Sequence, residues 1–341
     1  MALFHGRLAG HAALVALVLL GTATANAQSG LSGPFDMPQQ MRPYDAGSSI
    51  IGNSPTAAPA DLPLSGNIPT HFDQEFGLRG GLPSDGIWDW EILPTGLMYH
   101  SYLAGERESR MGTQWTFDEV NRQWVWDSTL GGRVGLVRYG TETESGPRGW
   151  QFDIEGAAFP RLDAGRSLQA VDFRAGGIFT YRENQIEFKF GYFHSCSHLG
   201  DLFMLAYPNI QRTQDVRDSI IAGVGYWLSP NVPVRLYAET SWAFNVEGVA
   251  QPWDFQFGAE YTPAVKMPSR ATGAPFCAID THLRQDVNFS GLLTIEAGWQ
   301  WIGRSGQSFR IGAVYANGLS EQGQFYNQYE NMVGGGFWYD F

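Results

Sequence analysis

The chain has 341 residues, 34 of them acidic against 22 basic, for a net charge of −12. That balance, with no cluster of lysine and arginine, excludes nucleic acid as an expected partner, because phosphate binding needs a basic face. Beyond the N-terminus no 18 apolar residues run together, so any insertion into a membrane must use strands rather than helices.

Residues 1–27 have the order of a secretory signal peptide. One early cation (Arg7) precedes an apolar run from Ala12 to Leu20, and Ala25-Asn26-Ala27 supplies a small-x-small cleavage site. From Gln28 to Asp85 the chain is punctuated by Pro34, Pro38, Pro43, Pro55, Pro59, Pro63 and Pro69, with no sustained period. Residues 28–85 therefore read as a periplasmic linker, with a plug inside a barrel as the alternative.

From residue 86 onward the pattern is strand-like. Trp150, Phe152 and Ile154 alternate with Gln151, Asp153 and Glu155. Val171, Phe173, Ala175, Phe179 and Tyr181 alternate with Asp172, Arg174, Thr180 and Arg182; Ile186, Phe188, Phe190 and Tyr192 alternate with Gln185, Glu187 and Lys189. One apolar and one charged face at period two is the signature of a wall with lipid outside and water inside. Further strands are expected at Leu97–Ala104, Trp124–Leu130, Val134–Tyr139, Ile220–Leu228, Val234–Phe244, Trp253–Tyr261, Cys277–Leu283, Leu293–Trp301, Phe309–Tyr315 and Val333–Phe341. The count is thirteen. Closed up-and-down antiparallel barrels prefer even numbers, so residues 86–341 predict an all-β transmembrane barrel of 12 strands, with 14 as the alternative. Arg174, Arg182, Glu187, Lys189, Arg235 and Glu239 would line its lumen, and their mixed signs predict a narrow pore or a structural barrel closed by internal salt bridges.

The last strand carries Phe337, Tyr339 and Phe341 on one side. Such an ending resembles the C-terminal strand of bacterial outer-membrane β-barrels. That likeness implies an outer-membrane location and a signal read by the barrel insertion machinery. Outer-membrane lipid and lipopolysaccharide would then be neighbours. With Phe341 in the periplasm, the short connections 183–184, 229–231 and 303–307 fall on the periplasmic side, and the longer 196–217 and 317–331 fall outside. The 263–275 connection is the exception, long yet periplasmic. Cys196 and Cys277 would then lie at opposite strand ends, which disfavours a disulfide.

One segment concentrates reactive side chains: Gly191-Tyr-Phe-His-Ser-Cys-Ser-His-Leu-Gly-Asp201. His194 and Cys196 share the parity of Phe188, Phe190 and Tyr192, and the next strand puts Asp218 on the same outer face at matching height. A base, a thiol and a carboxylate in this order are what nucleophilic catalysis requires. The His194-Ser195-Cys196 motif resembles that of outer-membrane phospholipase A and the lipid A deacylases, with Cys196 where those enzymes carry serine. The resemblance implies a lipid hydrolase cleaving acyl esters. His194, His198 and Asp201 form an alternative ligand set for a divalent cation, and no other cofactor is expected. The stretches Leu93–Gly105 and Phe193–Asp201 resemble the uncharacterised bacterial family called domain of unknown function 1207. That likeness implies an exported β-rich protein and no particular activity.

Overall fold

A computed structural model describes residues 87–143, 146–229, 232–263, 272–303 and 306–341. The expected signal peptide and the 28–85 linker lie outside the described residues. Thirteen strands form one antiparallel sheet: β1 (Asp89–Ile92), β2 (Met111–Asp118), β3 (Gln123–Thr143), β4 (Gly146–Asp163), β5 (Leu168–Glu183), β6 (Ile186–Leu199), β7 (Asp215–Ser229), β8 (Val232–Gly248), β9 (Trp253–Tyr261), β10 (Ala274–Arg284), β11 (Ser290–Ile302), β12 (Ser308–Leu319) and β13 (Tyr329–Asp340). Each strand from β2 to β13 pairs with the next, and β13 pairs back onto β2, from Tyr339 against Met111 to Met332 against Asp118. The result is a closed barrel of twelve strands with one short extra strand. Closure leaves almost no unpaired edge, which is what permits an all-antiparallel wall with an apolar exterior.

Alternation decides which face is which. In β6, Phe188 and Phe190 are 46% and 58% exposed, whereas Glu187 and Lys189 between them are 0% and 5% exposed. Charge is inside and aromatic rings are outside, the reverse of a water-soluble sandwich. Trp338, whose parity sets it apart from its aromatic neighbours, is buried on the inner face as that parity requires.

The inner charges are paired across strands. Arg235 is fully buried and bridges Glu187 and Glu260; Arg310, also fully buried, holds Asp340 at 2.9 Å and reaches Glu296. Arg133 donates to Asp153 at 3.0 Å, Arg161 to Asp127 at 2.8 Å, and Arg174 to Glu155 at 2.8 Å. Lys189 pairs with Glu239 and Arg217 with Asp254. Each charge would be costly alone in this interior, so removing one partner is far worse than never having had the pair.

Three sequence expectations change. Trp124–Leu130 and Val134–Tyr139 are parts of the single strand β3; Gly131-Gly132 interrupts the apolar run between them, and a register irregularity at Gly135/Val137 falls within the second part. Strand β2 is not among the expected strands: Thr113 interrupts its outer face, and Gly112 lies on the inner face against Trp338. Leu97–Ala104 is not a strand at all. Strands β1 and β2 both pair with β3, at residues 137–140 and 123–130, while β4 occupies the other edge of β3. Between them the chain leaves the wall at Leu93, whose φ is +54°, and rejoins it at Met111. Residues 93–110 fill the lumen instead. Their apolar side chains Leu97, Met98, Tyr99, Tyr102, Leu103 and Ala104 are all buried, which explains the hydrophobic stretch that resembled a strand.

Candidate functional site

Two places carry the chemistry: the filled lumen and a polar cluster on the outer wall.

Inside, an irregular segment has backbone groups that no sheet partner can satisfy, and buried polar groups need partners. Wall arginines supply them. Arg138 donates to the carbonyls of Thr95 (3.1 Å) and Gly96 (3.0 Å), Arg235 to His100 (2.9 Å), and Arg310 to Leu103 (3.2 Å). Arg110, from the segment itself, donates back to the carbonyls of Leu103 and Tyr102. Glu260 accepts from the Leu103 amide at 2.5 Å. Tyr102 Oη donates to Glu239 at 3.0 Å and lies 2.7 Å from Tyr99 Oη. This half of the lumen, toward Phe341, is packed.

The opposite end is filled from another direction. Residues 320–325, between β12 and β13, are buried and turned inward. Arg284 donates to the carbonyls of Ser320 (2.9 Å) and Tyr326 (2.8 Å), and Gln324 donates to Ser197 and Thr213. The Gly323 amide donates to Asp172 at 2.9 Å, and a Cβ at Gly323 would run into Asp215 and Ser197, so this approach requires glycine. Glu321 faces His282 Nδ1 at 2.8 Å. Burial works against its charge, but His282 and Arg284, with the His282 hydrogen bond and Arg107, outweigh it and hold the Glu321 carboxyl down to about 2. Arg107 of the 93–110 segment meets Asp172 and the Glu321 carbonyl, so the two inward segments touch.

On the outer wall His194 lies directly across from Asp218, with Nδ1 2.9 Å from Oδ1. Tyr192 Oη donates to the same carboxylate at 2.6 Å, and Asn245 donates to its other oxygen at 2.7 Å. A carboxylate held by three neighbours is fixed in orientation, and it fixes the imidazole in turn. Cys196 stands two residues on from His194, opposite Val216, with a free thiol. Its sulfur has no hydrogen bond to His194 among the contacts of the described residues. His198 is instead 3.0 Å from Arg212, and Asp201 opens the short helix α1 (Asp201–Ala206). Among the described residues no three His, Cys, Asp or Glu side chains gather as around a metal ion, so His194, His198 and Asp201 are not brought together.

The six residues expected in the lumen all face inward: Glu187, Lys189, Arg235, Glu239 and Arg182 are buried and Arg174 is nearly so. Phe337, Tyr339 and Phe341 face outward, the last two rings edge to face at 5.2 Å. Sequence reasoning missed Arg138, Arg161, Arg310 and Glu321. Arg138 and Arg310 stand at inner-face positions of expected strands, which was the available signal, whereas Arg161 lies beyond the Trp150–Glu155 alternation. It also missed Tyr192 and Asn245 as partners of Asp218, since an outward tyrosine looks like any other ring of the wall.

A family pattern matches residues 84–341, most of the chain. The protein belongs to the family described as protein of unknown function (DUF1207). No curated protein matches it by sequence. Among solved structures it is similar to the KdgM porin, at 5% identity and TM-score 0.39 over 68% of this chain and 98% of that one. It is also similar to outer membrane phospholipase A from Escherichia coli, at 9% identity and TM-score 0.43 over 67% of this chain and 89% of that one. A triple mutant of the Rhodopseudomonas blastica porin shares 11% identity at TM-score 0.29, over 67% of this chain and 98% of that chain.

Proposed function

We propose that this protein is an integral outer-membrane barrel whose lumen is shut in its resting state, a structural barrel or gated narrow pore and not an open channel. The observation that carries this reading is the occupation of the lumen by residues 93–110 and 320–325, each tied to wall arginines through its backbone carbonyls. Phe188, Phe190, Trp242, Phe244 and Phe337, all exposed, would meet hydrocarbon, and the barrel insertion machinery would read the Phe341 terminus. Planar-bilayer recording of refolded protein tests it. The expected result is no stepwise conductance from the full chain, and stepwise conductance after residues 95–108 are replaced by a short Gly-Ser link. Steady open-channel current from the intact protein refutes the closed lumen.

A second reading rests on the fixed His194–Asp218 pair, set at a level where outer-leaflet lipid would reach it. In it, His194 takes the Cys196 thiol proton as the sulfur attacks an acyl ester; the alcohol leaves carrying that proton, and water then hydrolyses the thioester to the fatty acid and restores the thiol. Fatty-acid release from phospholipid or lipopolysaccharide, abolished in both His194→Ala and Cys196→Ala, is the expected outcome. Activity surviving in either variant removes this site from consideration.

A further inference from the structure

Between the two inward segments lie two adjoining cavities, the larger of about 40 Å³. They share Glu106, Arg107, Leu292 and Glu321 in their linings. Glu106 sits inside the barrel beside Gln114 (3.0 Å) and Thr294 (3.4 Å), yet is only half-buried, because its free surface borders this space.

Most acidic groups around these cavities have a cationic partner, and two do not. Arg161 is committed to Asp127 and Glu330, Arg110 to Asp340, and Arg107 to Asp172. Glu296 is taken by Arg310, and Glu321 by His282 and Arg284. Two lining carboxylates, Glu106 and Asp280, have no cationic group within salt-bridge distance among the described residues. Asp280 is held only by neutral donors, Tyr237 at 2.6 Å and Gln256 at 3.0 Å.

A second, independent feature points the same way. Gln322, 6% exposed, lines the larger cavity and keeps its side-chain oxygen (Oε1) without a hydrogen-bond partner among the described residues. Unsatisfied buried acceptors are uncommon and call for a donor. We infer that the paired cavities form a binding site for a short alkyl ammonium, which supplies both the missing positive charge and the missing donor. An ammonium carries three donors on a compact charge. Leu292, Phe159, Met332 and Trp338 provide apolar wall for its methylenes, which a bare metal ion would not use. The absence of a three-ligand cage among the described residues also disfavours direct metal coordination.

The test is calorimetric titration of refolded protein in detergent with putrescine, with 1,4-butanediol as neutral isostere and calcium chloride as the competing cation. Putrescine is expected to bind saturably and the diol not at all. Glu106→Gln and Asp280→Asn are each expected to weaken putrescine binding about tenfold or more, with the barrel's far-UV circular dichroism unchanged. The comparison of diamine with diol needs no variant, so a poorly folding mutant does not rescue the idea. No saturable heat with putrescine, equal affinity in Glu106→Gln, or tighter binding of calcium than of the diamine overturns it. Conductance plays no part in the measurement, so this site and the closed lumen stand or fall separately.

Discussion

Tyr102 and Tyr237 stack face to face, ring centroids 3.8 Å apart and planes 10° from parallel. One ring belongs to the inward segment and the other to the wall, so this contact clamps the segment against β8. Lys189 lies over the Tyr102 ring at 4.2 Å and Arg235 over Tyr237 at 5.5 Å, adding cation–π attraction to a fully desolvated cluster.

Replacing Tyr102 by Ala removes the stack and the hydrogen bond to Glu239 together. A loss of about 3–5 kcal/mol of barrel stability is expected, the range for truncating a buried aromatic. The urea midpoint of the refolded barrel in detergent measures it. Tyr102→Phe keeps the ring and should lose only about 1 kcal/mol.

Arg235 neutralises Glu187 and Glu260 at once. Arg235→Met leaves two buried carboxylates facing each other and is expected to destabilise by about 3–5 kcal/mol. Adding Glu187→Gln and Glu260→Gln should recover most of that loss. A double- and triple-mutant unfolding series reads the coupling directly.

Glu321 gives the lumen an acid-sensitive latch. Its carboxyl is held at about 2 in the folded protein against 4.5 when released. A depressed carboxylate contributes stability that is complete above the unfolded value and lost as pH falls from about 4.5 toward 2. Limited proteolysis with pepsin should therefore cut within 320–328 increasingly below pH 4. In Glu321→Gln the cleavage should already be fast at the upper end of that window and nearly independent of pH.

Phe341 lies against Gly132 on the outer face, where a Cβ would come within 2.7 Å of its ring. Gly132→Val should push the terminal ring aside. A slower appearance of the compact, heat-modifiable band on electrophoresis of refolding protein is the expected sign, with Phe341→Ala giving a similar delay.

Cys277 is exposed on the outer face of β10 and both cysteines are free. In proteoliposomes, a lipid-soluble maleimide is expected to label Cys277 several-fold faster than a charged one. Equal rates would place that face in water.

The sequence by itself determined the wall. Period-two alternation in β4 to β13 is a local property: each side chain points inward or outward according to its own position, so Glu187, Lys189 and Arg235 were readable as lumenal without knowing their partners. What only the tertiary structure decided is what fills the barrel. Leu97–Ala104 has the hydrophobicity of a strand, and nothing local distinguishes residues that join a sheet from residues that pack against its inner charges. That choice depends on Arg138, Arg235 and Arg310, which lie up to some two hundred residues away in sequence and meet the 93–110 backbone only once the sheet has closed. The inward turn at 320–325 and the cavities between the two segments exist for the same reason, since they are products of closure and not of any one stretch of chain.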